Sequence, residues 1–313
     1  MSNRVVEVMR ILALAIVVLG AGCKVDLSTS RTVGVEGEKG GLVLKAGQGV
    51  VLRYRCEGVP FKPYVQELYS PAGVNVLRDA PADHLHHHGL MFAVAVDGAN
   101  FWEEQQQPGR QQHIAFASYV EVGDYDGADK AGFDEQLNWI EPVGGKVLLK
   151  ELRAIRVVRS KTSGATILTW KTSLDPAGDK DVTLSGSPYF GLGMRFVQSM
   201  DIGGSFFNAD GGAGVQGTND KPSRWCAYSA KADGRDVTVA MFDDPKNVRQ
   251  PATWFTMEKP FAYLSATLAL HKEPLEVVAG KSLILRYGVA VCDGRLGSED
   301  IEELYRKWCR RRE

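Results

Sequence analysis

Histidine is scarce in this chain, with six residues in 313. An excess of one charge sign is also missing: 37 basic residues face 38 acidic ones and leave a net charge of -1. With no basic surplus to neutralise phosphates, nucleic acid is not an expected partner. Cysteine is sparse as well, and the five present form neither a CxxC nor a Cys/His pair at metal spacing. Cys56, Cys226, Cys292 and Cys309 therefore read as structural or free, with up to two disulfides open to them outside the cytoplasm. Nowhere does a long helical pattern alternate with strands, which excludes a doubly wound parallel sheet.

One apolar run stands apart. Arg4 and Arg10 flank the start of "ILALAIVVLGAG", Ile11 to Gly22, which suits a secretory signal and falls short of the roughly 20 residues of a spanning helix. It ends "LGAGC" at Cys23, as in bacterial lipoprotein signals. The expectation is a signal peptide over residues 1–22, a lipidated Cys23 and a flexible tether through residue 41. Membrane contact would then come through the lipid anchor only, at the cell envelope. An ordinary signal peptide cut nearby is the alternative, leaving a secreted or periplasmic protein.

Beyond the tether the pattern is β nearly throughout. In "LILRYGVAV", Leu283, Leu285, Tyr287, Val289 and Val291 fall on one face and Arg286 on the other. "DVTVAMF", "RAIRVVRS", "TILTWKTSL" and "VVLRYR" are further strands, and glycine- or proline-bearing turns punctuate them. These features predict an all-β fold, a large antiparallel β-sandwich over residues 42–297. A short C-terminal helix over 298–313 would pack on it through Ile301, Leu304, Tyr305 and Trp308, with Ser298 as its cap. Gly212, Gly214 and Gly217 stand in the spacing GxGxxG, but no apolar strand leads in and Pro222 opposes a following helix. The dinucleotide reading is rejected, and residues 201–224 read as a long glycine-rich loop.

The scarce histidines are concentrated. Four of the six lie in "DHLHHHGLMF", Asp83 to Phe92, directly before an apolar strand. A polar surface turn is one reading. In an extended chain His84, His86 and His88 would share a face and could hold a divalent metal. As acid/base groups, imidazoles and a carboxylate such as Glu104 could exchange protons near neutral pH.

The run "DHLHHHGLMFAVAVDGANFWEE…GRQQH", with "GLGMRF", "WCAYSA" and "VAMFDDPKNVRQPATWF" in order, resembles the bacterial PmoA-like family over about residues 42–295. The matching positions are Asp83, His84, His86, His87, Gly89, Phe101, Trp102, Glu104, Arg110 and His113, then Arg195, Trp225, Asp243 and Pro245. Leu85 stands where that family has proline, His88 where it has arginine, and Asp244 and Gln250 where it has histidines. The resemblance implies that 84, 86 and 87 form the working set, with the chain turning at the cluster. The family is named for a methane oxygenase subunit, but that membrane enzyme needs spanning helices, which this amphipathic-strand sequence does not supply. The architecture is similar to the supersandwich of galactose mutarotase-like proteins, which implies a carbohydrate ligand.

The expected function is acid/base chemistry on a sugar, as an epimerase, lyase or glycoside hydrolase. His84, His86, His87, Glu104 and His113 would be catalytic. Asp83, His88, Trp102, Arg110, Arg195, Trp225 and Asp243 would bind substrate. No cofactor is required in this reading. A metal-dependent oxidoreductase or hydrolase, with His84, His86 and His88 as candidate ligands, is the first alternative; a non-catalytic sugar-binding envelope protein is the second.

Overall fold

The computed structural model describes residues 33–125, 128–160 and 164–311. The signal segment and Cys23 lie outside the described residues. Two large sheets carry the fold, and every strand pairing among the described residues is antiparallel. The nine-stranded sheet includes, as neighbours, Gly49–Arg55, Tyr64–Leu68, Leu90–Ala93, Gly191–Arg195, Tyr263–Thr267 and Thr253–Met257. The eight-stranded sheet runs from Ser205–Asn208 through Trp225–Ala232, Arg235–Asp243, Leu283–Asp293, Ala165–Pro176, Val147–Ser160 and Ala128–Ile140 to Arg110–Tyr125. A small four-stranded sheet joins residues 95–100, 182–185 and 275–277. This is the expected all-β sandwich.

Alternation along each strand explains two cores rather than one. In Leu283–Asp293, Leu285, Tyr287, Val289 and Val291 enter the main core between the sheets, while Ala290 and Cys292 face a second apolar layer. Trp225–Ala232 divides likewise, with Cys226, Tyr228 and Ala230 in the main core and Trp225 and Ala227 in the second. The C-terminal helix, Ser298–Arg310, closes that second layer with Ile301, Leu304, Tyr305 and Trp308. Its N-cap is Gly297, whose backbone N–H donates to Asp300 Oδ2 at 3.0 Å, so Ser298 is the first helical residue and not the cap.

Two segments are more ordered than the sequence suggested. Val33–Glu38, expected as tether, is a strand paired with Gly41–Ala46, and Val33 is fully buried. The expected long loop over 201–224 holds the strand Ser205–Asn208 and a single helical turn, Gly214–Thr218. There Gly212 passes so close to the Gly217 carbonyl that a Cβ would sit 2.2 Å from its oxygen. The glycines allow a tight chain crossing, not a phosphate cradle. No disulfide joins Cys56, Cys226, Cys292 or Cys309.

Candidate active site

The histidine segment is a turn, not an extended strand. The His84 amide donates to the Pro81 carbonyl and the His87 amide to the His84 carbonyl, each at 2.9 Å. Gly89 then threads against the neighbouring strand, where a Cβ would lie 2.2 Å from the Val65 carbonyl oxygen, and Leu90 pairs with Val65. Any side chain at 89 would push the turn off the sheet.

Turning the chain sorts the four imidazoles. His84, His86 and His87 gather on one side, with ring centroids 4.6 to 5.7 Å apart. They line a cavity of about 260 Å³, walled by Trp102, Tyr189, Phe255, Met257, Phe261 and Tyr263. The far wall comes from the end of the nine-stranded sheet, where Tyr263 pairs with both Met257 and Arg195. Trp102 is fixed by its amide donating to Asn100 Oδ1 at 2.9 Å and by stacking on Phe190 at 5.5 Å.

Three polar groups on residues around this cavity lack protein partners. His87 Nδ1, Trp102 Nε1 and Tyr263 OH are buried and make no hydrogen bond. Such groups are rare in folded interiors and call for a specific reason. Burial pushes His87 down to about 2, so its ring is neutral at ordinary pH. Burial also lowers His86, with the Lys62 charge adding to the effect. His84 Nδ1 lies 3.1 Å from Asp83 Oδ2, and this contact holds the Asp83 carboxyl below its usual range. With the proton on Nδ1 donated to Asp83, His84 Nε2 is left as an acceptor.

His88 points the other way. Its Nδ1 meets Asp79 Oδ1 at 2.8 Å and its Nε2 meets Glu104 Oε1 at 3.0 Å, while its ring stacks on Tyr64. Burial opposes its charge, but the hydrogen bonds to Asp79 and Glu104 prevail and raise it. Glu104 also takes the buried Lys62 ammonium at 2.5 Å. Burial works against the Glu104 charge too, yet His88 and Lys62 hold it below the ordinary carboxylate value. The expected pairing of Glu104 with a cavity histidine is therefore replaced by an ion network behind the cavity. Lys62 also donates to the Trp102 carbonyl at 3.1 Å, linking that network to the cavity wall.

The other sequence candidates disperse. His113 bonds Glu135 at 2.7 Å within the sandwich and does not line the cavity. Arg110 is exposed. Trp225 is buried beside the C-terminal helix, donating to Glu302 at 2.8 Å, so it cannot stack on a ligand in the cavity. Asp243 is buried under its own loop, accepting from Asn247 and from the Ala252 amide, and burial raises it to about 6. Arg195 lies behind the cavity, its guanidinium 3.4 Å from the Phe261 ring centre and 3.9 Å from both Asp83 and Asp201. The metal set His84, His86 and His88 is split by the turn.

Residues 41–306 match the model of the family of unknown function DUF6807. The chain belongs to that family. No curated protein matches this DUF6807 chain in sequence. Solved structures similar to it include a GH36 alpha-galactosidase of Geobacillus stearothermophilus in complex with raffinose, at 12% identity and a TM-score of 0.45, covering 88% of this chain and 41% of that one. The galactosidase domain of an alpha-galactosidase-sucrose kinase matches at 9% identity and a TM-score of 0.40, over 64% and 30% of the two chains. A Synechocystis protein matches at 9% identity and a TM-score of 0.38, over 86% and 99%. The DUF6807 chain thus spans well under half the length of the two galactosidase structures.

Five lining residues escaped the sequence reading: Tyr189, Phe255, Met257, Phe261 and Tyr263. Phe255, Met257 and Tyr263 stand at register positions 253–263 of one hairpin. For four of the five the available signal was the aromatic density of "TWFTMEKPFAY"; Tyr189 lies outside that stretch.

Proposed function

We propose that the cavity binds a sugar and that its imidazoles move protons on it, in a protein held at the outer side of a bacterial membrane by Cys23. One observation carries this reading: five aromatic rings and three imidazoles line a single cavity. Aromatic faces suit the C–H surface of a pyranose, and its hydroxyls suit imidazole nitrogens. The volume favours one sugar ring over a long chain.

Burial lowers both His86 and His87; His87, pushed down to about 2, is too weak a base to take a proton near neutral pH, so His86 is the proposed acceptor. His84, held through Asp83, presents its Nε2 as a second polar contact for the sugar. Glu104 takes no part in the transfer, because its carboxylate is committed to His88 and Lys62. Epimerisation and elimination both begin with such a proton abstraction, and hydrolysis requires proton delivery to the leaving oxygen.

The test is a panel of neutral and acidic sugars incubated in D2O and followed by NMR. Deuterium wash-in or a new product is expected, and His86→Ala should slow it about 100- to 10,000-fold. If sugars bind equally well to His86→Ala and no product or exchange appears with the parent protein, the binding-module reading replaces this one.

A further inference from the structure

Away from the cavity, three chemically different ligand groups meet. Donor atoms of Cys56, His113 and Glu135 all lie within 4.8 Å of one another. Cys56 follows the strand Gly49–Arg55 of the nine-stranded sheet; His113 and Glu135 belong to adjacent strands of the eight-stranded sheet. The cluster therefore bridges the two layers. A register shift in the pairing begins at His113, and such bulges re-aim a side chain. Cys56 is 5% exposed and the Glu135 side chain 0%, whereas the His113 side chain keeps 16% and gives a route to solvent.

We infer that Cys56, His113 and Glu135 form a binding site for a zinc-like divalent cation that clamps the two sheets together. A thiolate, an imidazole and a carboxylate are all zinc donors, and with a water as fourth ligand they make a tetrahedral set whose donors lie about 3–4 Å apart. His113 Nδ1 and Glu135 Oε1 stand 2.7 Å apart, so they need only open around the ion. A supporting shell is already built. Tyr54 OH donates to Glu135 Oε2, and Arg153 Nη1 donates to Tyr54 OH at 3.0 Å. Arg153 is itself locked to Glu151 at 2.8 and 2.9 Å, and the Phe116 ring lies 4.7 Å from that of His113. Outer partners of this kind orient first ligands and sharpen affinity.

On binding, the Cys56 S–H bond breaks, its proton leaves to solvent, and Sγ bonds the metal. The Nδ1 proton that His113 shares with Glu135 is lost from Nδ1 while Nε2 takes one up, which leaves the ring neutral, and Nδ1 and the Glu135 carboxylate then each bond the metal. Thiolate and carboxylate together balance the dication, so the loaded site is neutral. Without metal, burial pushes the Cys56 thiol up to about 12. The thiolate thus depends on the cation, and binding releases at least one proton.

Untagged full-length protein, stripped with chelator, is titrated with Co2+ and then Zn2+ and followed by absorption and thermal unfolding. One equivalent should give a thiolate-to-cobalt charge-transfer band, displaced by Zn2+, and raise the melting temperature. Cys56→Ser should abolish the band, and Tyr54→Phe should weaken affinity about 10- to 100-fold. His113→Gln, at the most exposed ligand, should weaken binding as well and serves if Cys56→Ser fails to fold. His86→Ala should bind cobalt like the parent, which separates this site from the cavity. A folded protein with no charge-transfer band overturns the inference, as does cobalt binding that His86→Ala removes and His113→Gln leaves intact.

Discussion

Glu104 and His88 show how a residue's role depends on direction as much as on neighbourhood. Asp79, Glu104, His88 and Lys62 make a four-membered network of alternating charge, largely shut off from water. Burial lowers Lys62 even though Glu104 counteracts it, so the ammonium depends on that carboxylate. Glu104→Ala should therefore destabilise the protein by about 3–5 kcal/mol, because it strands a buried positive charge. His86→Ala, at a half-buried ring without such a partner, should change stability far less. Urea unfolding of the two variants checks the contrast, and equal losses would remove the network from this account. Part of the site was legible in the sequence: His84, His86, His87 and Trp102 line one cavity, and Asp83 holds His84 from outside it. It did not show that His88 and Glu104 face away, since one residue of turn geometry decides which imidazole looks inward. Trp225 and Asp243 carried a motif resemblance, but motifs do not say which side of a sheet a residue faces.

At the scale of elements, period-2 alternation was readable wherever one face of a strand meets the main core. In the strands beneath the helix, "DVTVAMF" and "LILRYGVAV", the alternation was still readable, but not that Ala240, Phe242, Ala290 and Cys292 bury the second face too, because apolar residues on both sides mark no outward face. Val33–Glu38 was missed for the opposite reason: "VGVEGE" is too polar and glycine-rich to show an apolar face, and only pairing with Gly41–Ala46 makes it a strand. The helix was legible from its stripe, and the structure explains what the stripe grips. Trp308 donates Nε1–H to Thr169 at 2.9 Å, carries the Arg286 guanidinium 3.9 Å from its ring centre, and covers Gly288 so closely that a Cβ there would lie 2.8 Å from the indole. Trp308→Ala should cost about 3–5 kcal/mol through the cavity it leaves. Gly288→Ala should cost about 1–3 kcal/mol by overpacking the same contact. Thermal unfolding measures both, and a neutral Trp308→Ala would mean that the helix is an ornament on the sandwich and not part of its core.

For the whole molecule, adjacent histidines make stability respond to pH in opposite directions. His87 titrates near 6.5 when unfolded and near 2 when folded, so the unfolded state binds the extra proton and stability falls as pH drops below 6.5. By pH 5 this amounts to about 2 kcal/mol. His88 is raised on folding, so its contribution is complete below 6.5 and is lost as pH climbs through its folded value. Asp243, raised to about 6, favours the folded state as pH falls and partly masks the His87 limb. The two histidines are therefore read as differences between parent and variant, not from the parent curve alone. His87→Asn should remove an acid-side loss, so that the variant gains on the parent from pH 7 to pH 5. His88→Gln should remove an alkaline-side loss, narrowing its deficit as pH rises from 6 to 9. Urea midpoints across that range decide the matter: variant curves that run parallel to the parent's would mean that neither imidazole changes its proton affinity on folding.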